Sequence, residues 1–218
     1  MPLHKYNNPG LVYYKALSKY LELVKDIPEV VEVRLSSDDQ LYAILSATPF
    51  DDGPRYRVYR AEGQVMDTVE GQPYRFRLLN DQDSGIEDRV AYNRTHGDLV
   101  WACDTGTSQL MEEPVKTNKL NNPGLIYYQA LSKYLELVKE IPEVVEVRLA
   151  EDDSLCTIIS ATPHDDEPCY RVFAAQETVM RSLKQQPFLY DLVNCRELPE
   201  GAGERLSSLG DLVWQRDS

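Results

Sequence analysis

The sequence predicts an α+β protein: a tandem repeat of two similar small α-β-β-α-β-β domains, with helices packed on a mostly antiparallel sheet. Three observations predict this. First, residues 7–35 read NNPGLVYYKALSKYLELVKDIPEVVEVRL and residues 121–149 read NNPGLIYYQALSKYLELVKEIPEVVEVRL, differing only at Val12/Ile126, Lys15/Gln129 and Asp26/Glu140. Second, the likeness continues at the same spacing: LYAILSATPFDDGPRYRVY aligns with LCTIISATPHDDEPCYRVF, and GDLVW recurs at Gly97 and Gly210. Third, within each copy one helical periodicity is followed by short alternating runs. Two long copies make tandem domains, whereas a solenoid needs at least three short units.

The elements follow in order. Asn7 or Asn8 can cap a helix, and Pro9 fits its first turn, where no N–H is needed. The periodicity predicts a helix to about Ile27, stopped by Pro28, and the second copy repeats the layout from Asn121 to Pro142. Val31, Val33 and Leu35 alternate with Glu32 and Arg34, as in a strand with one buried face. LYAILSA is apolar on both faces, as in a central strand, and SSDDQ or AEDDS between the runs reads as a hairpin turn. Residues 54–72 carry Val58, Tyr59, Ala61, Val65, Met66 and Val69 on one helical stripe and are predicted as a second helix. Tyr74, Phe76 and Leu78 alternate as a strand, a polar loop follows, and residues 99–103 form a last short strand. The expected division is a first repeat over 1–104, a polar linker over 105–120 and a second repeat over 121–218.

The first helix has more apolar surface than one sheet requires. At 100° per residue, Lys15, Ser18, Lys19, Glu22, Lys25 and Asp26 crowd an arc of roughly 120°, leaving roughly 200° apolar, against about 100° for a helix resting on one layer. Tyrosine gives large contact area at low entropic cost, and 14 are present. Tyr13, Tyr14, Leu17 and Tyr20, with their copies Tyr127, Tyr128, Leu131 and Tyr134, are therefore the interface candidates.

Charge and composition exclude several functions. The formal charge is −13, shared as −7 over residues 1–114 and −6 over the rest. Such a surface disfavours phosphate backbones and anionic membranes, so neither nucleic acid nor membrane is an expected partner. No apolar run reaches transmembrane length, and the N-terminal residues lack a signal-peptide core. Cys103, Cys156, Cys169 and Cys195 do not repeat between copies, as a duplicated disulfide would, so reduced thiols and a cytoplasmic location are expected.

Candidate chemistry is sparse. Asp38-Asp39 recurs as Asp152-Asp153, and Asp51-Asp52 as Asp165-Asp166. Converging carboxylates can hold Mg²⁺, which makes Asp51, Asp52, Asp165 and Asp166 acidic-pocket candidates; turn and helix-capping chemistry explains the same doublets. His4, His96 and His164 do not repeat, and the sequence has no HExxH, CxxC or glycine-rich phosphate loop. No cofactor or metal is expected.

The order α-β-turn-β-α-β resembles the core of small nucleotidyltransferase-like domains. That family carries Gly-Ser after its first strand and Asp-x-Asp on its second. Here Leu35 is followed by Ser36-Ser37-Asp38-Asp39, and LYAILSA contains no acid. The resemblance implies a degenerate nucleotidyltransferase-like or other Mg-dependent enzyme as an alternative. The leading expectation is a non-enzymatic binding or scaffold protein, with the first helix of each repeat at an interdomain or protein–protein interface and a protein partner or self-association. An acidic nucleic-acid mimic seated in a basic cleft of a partner ranks third.

Overall fold

A computed structural model describes residues 6–103, 122–183, 187–198, 206 and 208–217. The 105–120 linker lies outside the described residues. Among the described residues, five helices and two four-stranded sheets make up an α+β protein with two similar halves.

In the first half the order is α1 (Pro9–Val24), β1 (Val30–Leu35), β2 (Gln40–Leu45), α2 (Asp52–Thr68), β3 (Arg75–Asn80), α3 (Glu87–His96) and β4 (Asp98–Ala102). In the second half it is α4 (Pro123–Val138), β5 (Val144–Leu149), β6 (Ser154–Ile159), α5 (Glu167–Ser182), β7 (Leu189–Asn194), a 3-10 turn (Cys195–Glu197) and β8 (Asp211–Gln215). The chain forms two compact units. Among the described residues, one comprises 15–103 and 122–125, and the other 6–14 together with those from 126 onward. Each unit therefore takes its sheet from one repeat and a short helical segment from the other.

The first sheet runs β3-β2-β1-β4 and the second β7-β6-β5-β8. β1 pairs antiparallel with β2 and β4, and β2 pairs parallel with β3. The parallel pair follows from α2, because parallel neighbours need a crossover and this helix supplies it. The expected hairpin is present in both copies. Three residues separate Ser36 from Gln40, and the last, Asp39, is left-handed at φ 62°; Asp153 matches it at φ 66°. Such a loop places its third residue in the left-handed well, a conformation that Asp tolerates better than most residues.

The alternation in β1 departs from the sequence pattern. A bulge between Val30 and Glu32 inserts an extra residue, so Val30, Val33 and Leu35 are buried and Val31 is turned to the other side of the sheet. There it packs on the small cluster of Ile44, Leu79 and Val90. Val90 belongs to α3, which occupies the stretch expected to be a loop. Its sequence, EDRVAYNRTH, is too polar for apolar periodicity to reveal a helix. It opens with Glu87 and Asp88 and closes with Arg94 and His96, a charge order that suits the helix dipole.

Polar clamps recur at equivalent positions. Asn80 exchanges two hydrogen bonds with the backbone of Ala47, both 3.0 Å, and Asn194 does the same with Ala161 at 3.2 Å. Arg171 holds Glu143 at 2.7 Å, and Arg57 pairs with Glu29 in the same way. Arg34 and Arg148 bind Glu32 and Glu146 on their own strands and donate to the carbonyls of Gly97 and Gly210. Much of what the repeats share is thus explained by the fold.

Candidate interaction surfaces

α2 and α5 each show two faces. The buried face of α2 is Pro54, Val58, Ala61 and Val65, and that of α5 is Pro168, Val172, Ala175 and Val179. Tyr56, Tyr59 and Met66 lie on the opposite face, three and seven residues apart, within one narrow arc of the helix. Their equivalents on α5 are Tyr170, Phe173 and Met180. All six side chains are between 50% and 70% exposed. Single exposed apolar residues are ordinary, but an aligned stripe present in both copies is not. Tyr59 and Met66, expected on one stripe with Val58 and Val65, lie on the other face, because adjacent helical positions split between the two faces.

Ion pairs occupy most cations of these helices. Arg55 pairs with Asp83, Arg57 with Glu29, Arg171 with Glu143, and Arg181 with Glu177 at 2.6 Å. Asp52, Asp67, Asp165, Asp166 and Glu167 are exposed and enter no ion pair among the described residues. The stripes are therefore bordered mainly by carboxylates.

The acidic-pocket candidates stand at helix starts. Asp51 caps α2 by accepting from the Gly53 N–H at 2.9 Å, and Asp52 begins the helix. Asp165 accepts from the Glu167 N–H at 3.2 Å, and Asp166 immediately precedes α5. Two clefts of about 330 Å³ open in the second unit. One is lined by residues including Ala150, Glu151, Gly210 and Asp211, the other by Asp152, Ser154, Cys156 and Asp191, and neither by Asp165 or Asp166. Among the described residues no group of three His, Cys, Asp or Glu could share a metal ion. Burial, with Asp191 nearby, pushes the Cys156 thiol up to about 11, far from a reactive thiolate.

The first-helix candidates divide by depth. Leu17, Tyr20, Leu131 and Tyr134 are fully buried. Tyr20 packs on Phe76 with ring centroids 5.0 Å apart, and Tyr134 on Tyr190 at 5.2 Å. The Tyr134 hydroxyl hydrogen-bonds Thr157. Tyr13, Tyr14, Tyr127 and Tyr128 are half-buried. Tyr14 lies 5.9 Å from Tyr128, and Tyr127 donates to Asp153 Oδ1. Burial and that acceptor together raise the Tyr127 phenol well above its ordinary range.

The motif preceding each first helix has a role that sequence reasoning identified only in part. Asn8 caps α1 by accepting from the Leu11 N–H at 3.1 Å. Its amide also donates to the Ala150 carbonyl at 2.7 Å and to Asp153 Oδ1 at 2.9 Å, in the β5–β6 turn. Asn122 likewise accepts from Leu125 N–H at 3.3 Å and donates to the Ser36 carbonyl at 2.9 Å and Asp39 Oδ1 at 2.8 Å. Both asparagines are wholly buried. The repeated NN and DD pairs were the available signal, but only folding reveals that the Asn of one repeat meets the Asp of the other.

No helix among the described residues is long and apolar enough to cross a membrane. No family model matches this chain, and no curated protein matches its sequence.

Proposed function

We propose that this chain is a non-enzymatic protein-binding scaffold that presents two copies of one recognition surface, the outer stripes of α2 and α5. The observation that carries the reading is the retention of Tyr56/Tyr170, Tyr59/Phe173 and Met66/Met180 as exposed side chains in both repeats. Elsewhere along these helices the copies diverge, as at Arg60/Ala174 and Gly63/Glu177. Exposed aromatic and Met side chains anchor protein interfaces, because they supply contact area at low entropic cost. The bordering carboxylates favour a partner segment that is apolar and basic. The first helix of each repeat has the complementary task of cohesion, tying its N-terminal Asn to the hairpin turn of the other repeat. The free cysteines support work in the reducing cytoplasm, and the acid excess supports a protein partner over nucleic acid.

The test is affinity capture from the source cells with quantitative mass spectrometry. Wild type is compared with Tyr56→Ser/Tyr59→Ser, with Tyr170→Ser/Phe173→Ser, and with all four changes together. Each exposed change should alter stability by no more than about 0.5 kcal/mol. A specific partner should be captured at least tenfold less by the fourfold variant. An unchanged set of captured proteins would overturn the assignment.

A further inference from the structure

The two repeats differ at one buried polar position. In the second unit Tyr134 hydrogen-bonds Thr157, with Gln176 of α5 beside it. The equivalents in the first unit are Tyr20, Ala43 and Glu62. Ala43 offers no hydroxyl. The Tyr20 hydroxyl and Glu62 Oε1 are both buried and make no hydrogen bond, although the phenol and carboxyl interact electrostatically. A buried polar atom without a partner is costly, and a buried charge without one more so.

The groups facing Glu62 are few. Tyr20 comes from α1, and among the described residues Arg77 from β3 is the cation that interacts with it. The Arg77 guanidinium is exposed and donates elsewhere, to Gln40 Oε1 at 3.3 Å and the Phe76 carbonyl at 3.2 Å. Burial outweighs its attraction and pushes the Glu62 carboxyl up to about 7.

We infer that Glu62 is a proton-binding switch confined to the first repeat: its neutral acid suits the buried site beside Tyr20, and its ionisation there, with no hydrogen-bond partner for Oε1, loosens α2 in that unit alone. The sign follows from linkage. The folded chain holds this proton more tightly than the unfolded chain. Stability from the site is therefore fully present below the ordinary glutamate range and is lost as pH rises toward and through about 7. Gln176 cannot ionise, so α5 has no counterpart.

Two measurements on the full chain test this. In carboxyl ¹³C NMR of glutamate-labelled protein, one resonance should titrate near pH 7 and be missing from Glu62→Gln. If every glutamate titrates in its ordinary range, the inference is overturned; this readout needs no variant to be stable. In amide hydrogen exchange, α2 of wild type should be at least tenfold less protected than α2 of Glu62→Gln at pH 8, equal to it at pH 5, and α5 should match throughout. A wild-type to variant ratio in α2 that is independent of pH would also overturn it.

Discussion

The carboxamide of Asn8 donates to the carboxylate of Asp153 at 2.9 Å, across 145 residues of sequence. The same carboxamide ends the unsatisfied N-terminus of α1 through its oxygen and holds the Ala150 carbonyl through its nitrogen. Asp153 is left-handed, and its own carbonyl accepts from the first N–H of β7 at 3.0 Å. One side-chain pair therefore joins a helix start, a hairpin turn and a sheet edge in one unit. Asn122 and Asp39 repeat the arrangement in the other, at 2.8 Å.

Replacing Asn8 with Ala removes a helix cap and strands buried acceptors. The expected loss is about 2–3 kcal/mol, combining a cap worth about 1 with the penalty for unpaired buried groups. Asn8→Ser retains a capping oxygen but cannot supply the amide, and should cost about half as much. Urea unfolding midpoints check both. A cost for Asn8→Ser close to zero would show that only the cap matters, and a cost for Asn8→Ala no larger than that of Asn8→Ser would show that the cap contributes nothing.

Gly10 stands where a side chain cannot. A Cβ built there would lie 2.0 Å from a ring carbon of Tyr127. That ring cannot simply swing aside, since it donates to Asp153 and meets Phe188 edge-on at 5.2 Å. Gly10→Ala gains helix propensity but overpacks the contact, with a net loss of roughly 1–3 kcal/mol. Adding Tyr127→Ala should make the Gly10→Ala change close to neutral. Thermal unfolding of the four members of this cycle measures the coupling.

Phe50 is left-handed at φ 65° and 83% exposed, so it bears backbone strain without burying its ring. It follows Pro49 in a turn closed by the Asp51 N–H and the Thr48 carbonyl, the arrangement of a type II turn, which favours Gly at this position. Phe50→Gly should stabilise the protein by about 0.5–1 kcal/mol, and Phe50→Val should destabilise it by a similar amount. Calorimetric melting temperatures check the opposite signs. His164, at φ 68°, predicts the same response to Gly in the second repeat.

Much of the fold was legible because it rests on local chemistry. Helix α2 was readable from the spacing of Val58, Ala61 and Val65, and β2 from its two apolar faces. The turn role of Asp39 and the capping role of Asp51 followed from what short carboxylates do. Helix α3 was not readable, because only Val90 and Asn93 are buried and its other side chains face water. Nor was the exposed stripe. Tyr59 and Met66 neighbour Val58 and Val65 in sequence, and which of two adjacent helical faces meets the sheet depends on the sheet's position.

The sequence by itself determined that the protein is a duplication of one α+β unit, where most helices and strands begin, and which residues can cap or turn. These features depend on periodicity and on interactions only a few residues long. Tertiary structure alone decided that each unit draws a helical segment from the other repeat and that Asn8 meets Asp153. It also decided that the Tyr20 hydroxyl and Glu62 Oε1 are buried without hydrogen bonds while the Tyr134 hydroxyl has Thr157. The NN and DD pairs stand in matching local sequence in both repeats, so sequence cannot tell a pairing within a repeat from a pairing across repeats. That choice is made by the packing of whole elements.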